Sequence, residues 1–234
     1  MFFFLPYLVD VTMRRLPWAN WLLILITCAE SIQLFPAMRK FEYGYGMTHT
    51  LNLMVLQPDH FRITQLVGSL FVHAGWVHLL GNMYFLWLFG NAVNARLGQW
   101  QYLLLYFGTG IIANLAMLWF GPHVPSLGAS GAIMGVMGAF LILYPRNDTR
   151  CFLLFLLTPR RVDISSYWLL VLYFSLDVIG VVVGGGVVAH LAHVTGFLTG
   201  AMAVGLLAWK GIISPNRNEE NLLQMLRVVP AHAD

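Results

Sequence analysis

Side chains that could carry out hydrolysis stand in three short stretches of an otherwise apolar chain. Ser130 lies in the string GASG, and His190 and His193 lie in HLAHVTGFLTG. His78 and Asn82 lie in HAGWVHLLGN, four residues apart, so a helix places both on one face. A serine hydroxyl becomes a nucleophile when an adjacent neutral imidazole takes its proton, and an amide N–H can stabilise an oxyanion. The three stretches therefore contain a nucleophile, two candidate bases and a donor.

Each of these stretches also has an explanation without chemistry. A serine in a membrane helix usually bonds its own backbone, and a single histidine inside a bundle is more often a structural hydrogen-bonding group. His190 and His193 are three residues apart, a spacing that can also bind a metal ion. Because a serine–histidine pair needs no metal, we expect neither a metal nor another cofactor.

The composition is that of a membrane protein. Hydrophobic residues make up 59% of the 234 residues and charged residues only 10%, whereas soluble domains have about 25% charged residues. The mean hydropathy is +0.71. A transmembrane helix needs about 20 apolar residues. The predicted spans are 17–37, 70–93, 100–121, 126–145, 164–182 and 188–210. The predicted fold is an all-α integral membrane bundle of six transmembrane helices with a long external first loop.

The remaining segments are predicted to lie outside the spans. Residues 1–16 form a short interfacial N-terminus, 17–210 the helical domain, and 211–234 a cytoplasmic tail. The apolar stretches FFFLPYLV and CFLLFLLTPRRVDI are too short to cross a bilayer, so both are predicted to lie at the membrane surface. The loop 38–69 is rich in aromatic residues and is predicted to pack on the bilayer.

The basic residues predict the orientation. Six spans put both termini on one side, and only three of the 13 Lys and Arg residues fall on the other side: Arg39, Lys40 and Arg62. Basic loops remain in the cytoplasm. We therefore expect both termini in the cytoplasm, in the inner (plasma) membrane of a bacterium.

Paired glycines predict which spans meet. The fourth and sixth spans carry glycines four residues apart: Gly131, Gly135, Gly196 and Gly200. Such faces let membrane helices approach backbone to backbone. If these two faces pack together, Ser130 and His193 come within hydrogen-bond reach near the outer leaflet.

The motifs GASG, AHVTG and HAGWVHLLGN, on the fourth, sixth and second spans, resemble those of the rhomboid intramembrane serine proteases. The resemblance implies a serine–histidine dyad without a third carboxylate. Ser130 then matches the nucleophile and His193 the base, while His78 and Asn82 match residues that line the oxyanion site. The family pattern His-x-x-Gly favours His193 over His190 as the base.

The resemblance also implies partners and moving parts. The substrates would be transmembrane proteins cut within or next to their transmembrane segment, near the outer leaflet. The bilayer is the other partner, and we expect no nucleic acid and no obligate protein partner. The loop VVVGGGVVA, residues 181–189, would act as a movable cap.

Three positions depart from the family pattern. Met134 stands where relatives often carry an aromatic residue, Gln65 where many carry an arginine, and Asn94 where a glutamate is common. The departures concern the packing on the base and the anchoring of loops. The residues of the dyad are present.

Other polar residues are predicted to play no part in the reaction. Asp177 is predicted to lie in water at the outer interface rather than to complete a triad. His73 and His123 are predicted to be polar groups of the outer rim.

Two other function classes remain open from the residues. A non-catalytic protein that binds transmembrane segments would lack the dyad. A small transporter or metal carrier would use the histidines and show internal symmetry, which we do not find.

Overall fold

A computed structural model describes residues 2–155, 158–184, 188–213 and 219–229, and most of them are helical. The α-helices are α1 (Trp18–Glu42), α2 (His49–Met54), α3 (Gln65–Gly68), α4 (Trp76–Phe85), α5 (Asn91–Leu97), α6 (Gln99–Phe120), α7 (Ser130–Leu143), α8 (Ser166–Val183), α9 (His190–Trp209) and α10 (Leu222–Met225). A π-helical segment, Leu86–Gly90, joins α4 to α5, so the chain is helical without a break from 76 to 97. Short 3-10 helices at Pro58–His60 and Ser69–Phe71 flank α3.

The helices fall where the spans are predicted and confirm a helical membrane bundle. Within the described residues, four helices are long and apolar enough to cross a bilayer: α1, α6, α8 and α9. The helical stretch 76–97 matches the second predicted span, and α7 matches the fourth. Because α7 has only 14 residues, it is roughly 21 Å long, less than the roughly 30 Å of hydrocarbon. The count of six spans and the domain boundaries stay predictions.

Helix α7 is the centre of the bundle. Every residue from Gly131 to Leu143 is buried, as expected for a helix that is apolar on all sides. A Cβ atom on Gly196 would overlap the carbonyl oxygen of Gly131, and one on Gly200 would overlap that of Gly135. The predicted backbone-to-backbone contact between the two glycine faces is therefore confirmed, and it joins α7 to α9.

A three-stranded antiparallel sheet lies at the end of the bundle where α7 ends and α8 begins. Its strands are β1 (Phe2–Val9), β2 (Asp148–Phe155) and β3 (Thr158–Ser165), with β2 in the middle. These strands contain the described residues of the two short apolar stretches that we predicted to be surface segments; residues 156 and 157 of the second stretch lie outside the described residues. Short apolar runs do not distinguish strand from helix, and the pairing of β1 with β2 joins distant parts of the chain.

The long loop between α1 and α4 is packed against the protein. Gln65 is fully buried, and its Oε1 accepts hydrogen bonds from the backbone N–H groups of Gln57 (3.2 Å) and Arg62 (3.1 Å). Its Nε2 donates to the carbonyl oxygen of Asn52 at 2.8 Å. Gln65 therefore holds this loop together at the position where the family pattern has arginine.

Asn94 joins three helices at the other end of the bundle. It is fully buried, and its Oδ1 accepts a hydrogen bond from the backbone N–H of Asn20 at 3.1 Å. Its Nδ2 donates to the carbonyl oxygen of Gly98 and to Oε1 of Gln99, at 3.2 and 3.1 Å. Asn94, at the position where glutamate is common in the resembling family, therefore ties α1 and α5 to the start of α6.

Of the segment predicted to act as a cap, 181–189, the first three residues form the end of α8, and the others separate α8 from α9 in the sequence. Residues 185–187 of this loop lie outside the described residues. Its predicted movement therefore stays a prediction.

Candidate active site

A cavity of about 360 Å³ opens between α4, α7, α8 and α9. The four residues assigned to the reaction by the family resemblance, Ser130, His193, His78 and Asn82, line it. Asp177 and Met134 also line it, and the rest of the wall is mainly apolar. The first turns of α7 and α9 contribute the serine and the histidine. The contact between the glycine faces of α7 and α9 brings these two first turns together.

Ser130 is the first residue of α7 and is half-buried. The N–H groups of the first turn of a helix have no partner within the helix, so they point toward the cavity end of α7. No hydrogen bond joins Ser130 to His193 in the part of the chain that the structure describes. Hydrogen bonds between catalytic groups are often long in free enzymes and shorten when substrate binds. The two side chains therefore line one cavity without a hydrogen bond between them.

The turn before Ser130 requires a glycine. Gly128 has φ +116°, a backbone conformation that residues with a Cβ atom rarely adopt. A Cβ atom at this position would also lie 2.8 Å from the His78 ring. Its N–H donates to the carbonyl oxygen of Ser69 at 2.9 Å. Gly128 therefore lets His78 approach the backbone next to Ser130.

His73 supports the same turn from behind, and its predicted place at the outer rim is wrong. It is fully buried, and its Nε2 accepts a hydrogen bond from the N–H of Ala129 at 3.4 Å. Its Nδ1 therefore carries the proton and donates to Ser31 Oγ at 2.9 Å, while the Ser31 hydroxyl donates to the carbonyl of Phe71. His123, by contrast, is exposed, as predicted.

Asn82 brings an unused donor to the cavity. Its Nδ2 is buried and has no hydrogen-bond partner among the described residues. A buried amide N–H without a partner costs stability, and a catalytic role is one of the reasons for which proteins keep such a group. Nδ2 lies 3.7 Å from where a Cβ of Gly128 would be, which places it beside the turn that leads into Ser130. It is suited to donate to an oxyanion formed there.

Asp177 was predicted to lie in water, and this prediction is wrong. It is only 8% exposed. Its Oδ1 accepts hydrogen bonds from Nδ1 of His190 at 2.7 Å and from Nδ1 of His193 at 2.9 Å. Because α8 packs beside α9, the carboxylate turns inward and meets both histidines. A linear sequence does not reveal this, since 13 and 16 residues separate Asp177 from its two partners.

The same three side chains are potential metal ligands. One ligand atom from each of Asp177, His190 and His193 lies within 4.8 Å of the other two. The two N···O distances of 2.7 and 2.9 Å are those of hydrogen bonds. A tetrahedral zinc ion that holds its ligands at about 2.0 Å would separate them by roughly 3.3 Å. The present distances therefore fit two N–H···O hydrogen bonds better than a shared metal ion.

Comparison with known proteins identifies the family. The sequence model of the Rhomboid domain matches residues 60–210, which include every residue of the cavity named above. The chain belongs to the rhomboid family. Rhomboid-family proteins are membrane proteins, in agreement with the apolar helices of this chain.

Several curated rhomboid proteins are similar to this chain. Presenilin-associated rhomboid-like protein A, mitochondrial, of Danio rerio is 31% identical over 182 residues, covering 75% of this chain and 44% of the relative. The Homo sapiens protein, presenilin-associated rhomboid-like protein, mitochondrial, is 32% identical over 194 residues (80% and 47%). Rhomboid protease GluP of Bacillus subtilis (strain 168) is 30% identical over 189 residues (74% and 36%). The chain spans less than half the length of these relatives.

Proposed function

We propose that this rhomboid-family protein is an intramembrane serine endopeptidase. Its substrates would be membrane-anchored proteins, cut within or next to their transmembrane segment. The observation that carries the proposal is the single cavity that holds Ser130, His193 and the unpaired Nδ2 of Asn82. The similarity to a protein named rhomboid protease GluP supports it at the level of the family.

The first half of the reaction forms an acyl-enzyme. Nε2 of His193 takes the hydroxyl proton as Ser130 Oγ attacks the carbonyl carbon of the scissile bond. The carbonyl oxygen becomes an oxyanion, to which Asn82 Nδ2, His78 and the N–H groups at the start of α7 can donate. His193 then passes the proton to the amide nitrogen, the C–N bond breaks, and the amine leaves.

The second half restores the enzyme. His193 takes a proton from water, and the hydroxyl oxygen attacks the ester carbon of the acyl-enzyme. When the C–O bond to Ser130 breaks, His193 returns the proton to Oγ and the carboxylic acid product leaves. A cavity at the end of α7, a helix shorter than the bilayer is thick, gives water a route to this site.

We also propose the orientation of the protein. The arginines Arg14, Arg15 and Arg96 line a second cavity at the end of the bundle opposite Ser130. Because basic residues favour the inner side, both termini would be cytoplasmic and the active-site cavity would open outward in a bacterial plasma membrane. A His123→Cys variant should react with a membrane-impermeant maleimide added outside intact cells, and a Thr12→Cys variant should not. The reverse pattern would contradict this orientation.

Cleavage of a labelled transmembrane substrate in proteoliposomes tests the proposed activity. The wild-type protein should release two fragments, whereas Ser130→Ala and His193→Ala should release none. Ser126→Ala removes a hydroxyl four residues away, outside the cavity, and should cleave at the wild-type rate. Cleavage by Ser130→Ala would overturn the assignment of the nucleophile. Substrate binding without cleavage by the wild-type protein would favour a non-catalytic binder of transmembrane segments.

A further inference from the structure

The carboxylate of Asp177 has no role in the dyad that the family resemblance implies, yet it contacts the base. We propose that Asp177 is a positioning residue that makes this site a serine–histidine–aspartate arrangement. The inference rests on the proposed function and concerns how His193 performs it. It is carried by the hydrogen bond of 2.9 Å between Asp177 Oδ1 and His193 Nδ1.

The hydrogen bond selects the tautomer of His193. An ionised carboxylate can only accept hydrogen bonds, so Nδ1 of His193 must carry a proton. In the neutral ring the lone pair then lies on Nε2, the nitrogen that must take the proton from Ser130. Without Asp177 the ring is free to carry its proton on Nε2, and in that tautomer it cannot act as the base.

His190 fixes the carboxylate from a second side. Its Nδ1 donates to the same Oδ1 atom at 2.7 Å. Its ring packs against the backbone of α8, because a Cβ atom on Gly180 would lie 2.5 Å from the ring. Two donors from α9 thus hold one oxygen of a side chain on α8. This explains why His190, the less favoured candidate base in the sequence, lies so close to the site.

Asp177 also stabilises the charge that forms during the reaction. When His193 has taken the serine proton, the ring is an imidazolium ion with protons on both nitrogens. The adjacent carboxylate, which is only 8% exposed, offsets this positive charge, and charges interact more strongly where water is partly excluded. The proton on Nδ1 stays on Nδ1 throughout, and the proton on Nε2 goes on to the leaving amine.

Steady-state cleavage by Asp177→Asn tests this inference. Asparagine has nearly the same shape, but its NH₂ group can donate to Nδ1 and so favour the wrong tautomer. We expect kcat to fall by roughly 10⁴-fold with little change in KM, since the change alters the base and not substrate binding. The second variant, Asp177→Glu, keeps a carboxylate and should recover part of the lost kcat.

The chain provides a matched control in a second aspartate–histidine pair. Asp59 lies 3.3 Å from Nδ1 of His123, both side chains are more than 70% exposed, and neither lines the cavity. Asp59→Asn should leave kcat and KM unchanged. Thermal unfolding of each variant in detergent shows whether a loss of activity reflects a loss of folded protein.

Nitrogen-15 NMR of the histidine rings reads the tautomer directly, in a Ser130→Ala background that cannot turn over. The signals of His193 should show a proton on Nδ1 with Asp177 present and a shift toward Nε2 with Asp177→Asn. A wild-type kcat for Asp177→Asn, or an unchanged tautomer, would overturn the role of Asp177. Cleavage by Ser130→Ala would instead overturn the proposed function, so the two failures are distinguishable.

Discussion

At the scale of single residues, hydrogen bonds hold several polar groups in and behind the cavity. His73 and Ser31 form a chain of hydrogen bonds that ends on the N–H of Ala129, the residue before Ser130. Asp177 holds the imidazole of His193. Asn82 differs, because its buried Nδ2 has no partner among the described residues. We infer that its partner is the oxyanion of the reaction.

The Asn82→Ala variant tests this role. Loss of one oxyanion donor in a serine protease lowers kcat by roughly 10²-fold or more, with little effect on substrate binding. We expect such a fall in kcat for cleavage of a transmembrane substrate. Leu80→Ala, on the exposed side of the same helix, is the control and should cleave normally. A wild-type kcat for Asn82→Ala would mean that Nδ2 does not contact the oxyanion.

The sequence reveals some of these residues and not others. Ser130, His78, Asn82 and His193 stand in recognisable motifs, and the structure places all four along one cavity. The prediction for Asp177 is wrong because it relied on the position of Asp177 near the end of the fifth span, whereas its partners on α9 decide its environment. The prediction that His73 lies at the outer rim is also wrong, because its partners Ser31 and Ala129 lie in other segments and enclose it. Local patterns identify the chemistry of a residue, whereas packing between helices determines its partners.

At the scale of elements, the contact between α7 and α9 brings Ser130 and His193 to the same cavity. The glycine pairs on both helices predict this contact, and the structure confirms it. A larger side chain at either face would push α9 away from α7. Because Ser130 and His193 lie in the first turns of these two helices, such a displacement would also separate them.

The Gly196→Ala variant measures the importance of this contact. A Cβ atom there would overlap the carbonyl oxygen of Gly131, so the backbones must separate. Overpacking of this kind costs about 1–3 kcal/mol, and we expect a lower thermal unfolding midpoint in detergent and slower cleavage. Gly205→Ala is the matched control on α9, since a Cβ atom on Gly205 would meet nothing within 4 Å. Equal midpoints for the two variants would contradict the account.

At the scale of the whole molecule, the N-terminal segment is part of the fold. Strand β1 pairs with β2, and the register places Pro6 opposite Cys151 and Leu5 opposite Phe152. The sheet therefore joins the start of the chain to the connection between α7 and α8. The sequence could not predict it, because the apolar pattern of these short stretches is equally compatible with a surface helix.

The reactivity of Cys151 tests whether the sheet forms. Cys151 is fully buried, and burial, together with the nearby Asp163 carboxylate, raises the pKa of its thiol to about 11. A thiol with a raised pKa forms the reactive thiolate only at higher pH, so alkylation should be slow at neutral pH. Its rate should still be rising above about pH 9, where an ordinary thiol with a pKa of about 8.5 levels off.

A Cys28→Ser variant leaves Cys151 as the single thiol for this measurement. The same protein unfolded in sodium dodecyl sulfate is the control, and it should react with the pH dependence of an ordinary thiol. An equally ordinary profile for the folded protein would show that Cys151 is not enclosed by the sheet.

The most direct test of the central claim is to identify the residue that a fluorophosphonate probe modifies. Such probes react with a serine hydroxyl only where a neighbouring base activates it. Mass spectrometry of the labelled protein should find the adduct on Ser130, and labelling should disappear in the His193→Ala variant. An adduct on another serine, or undiminished labelling of Ser130 without His193, would contradict the account.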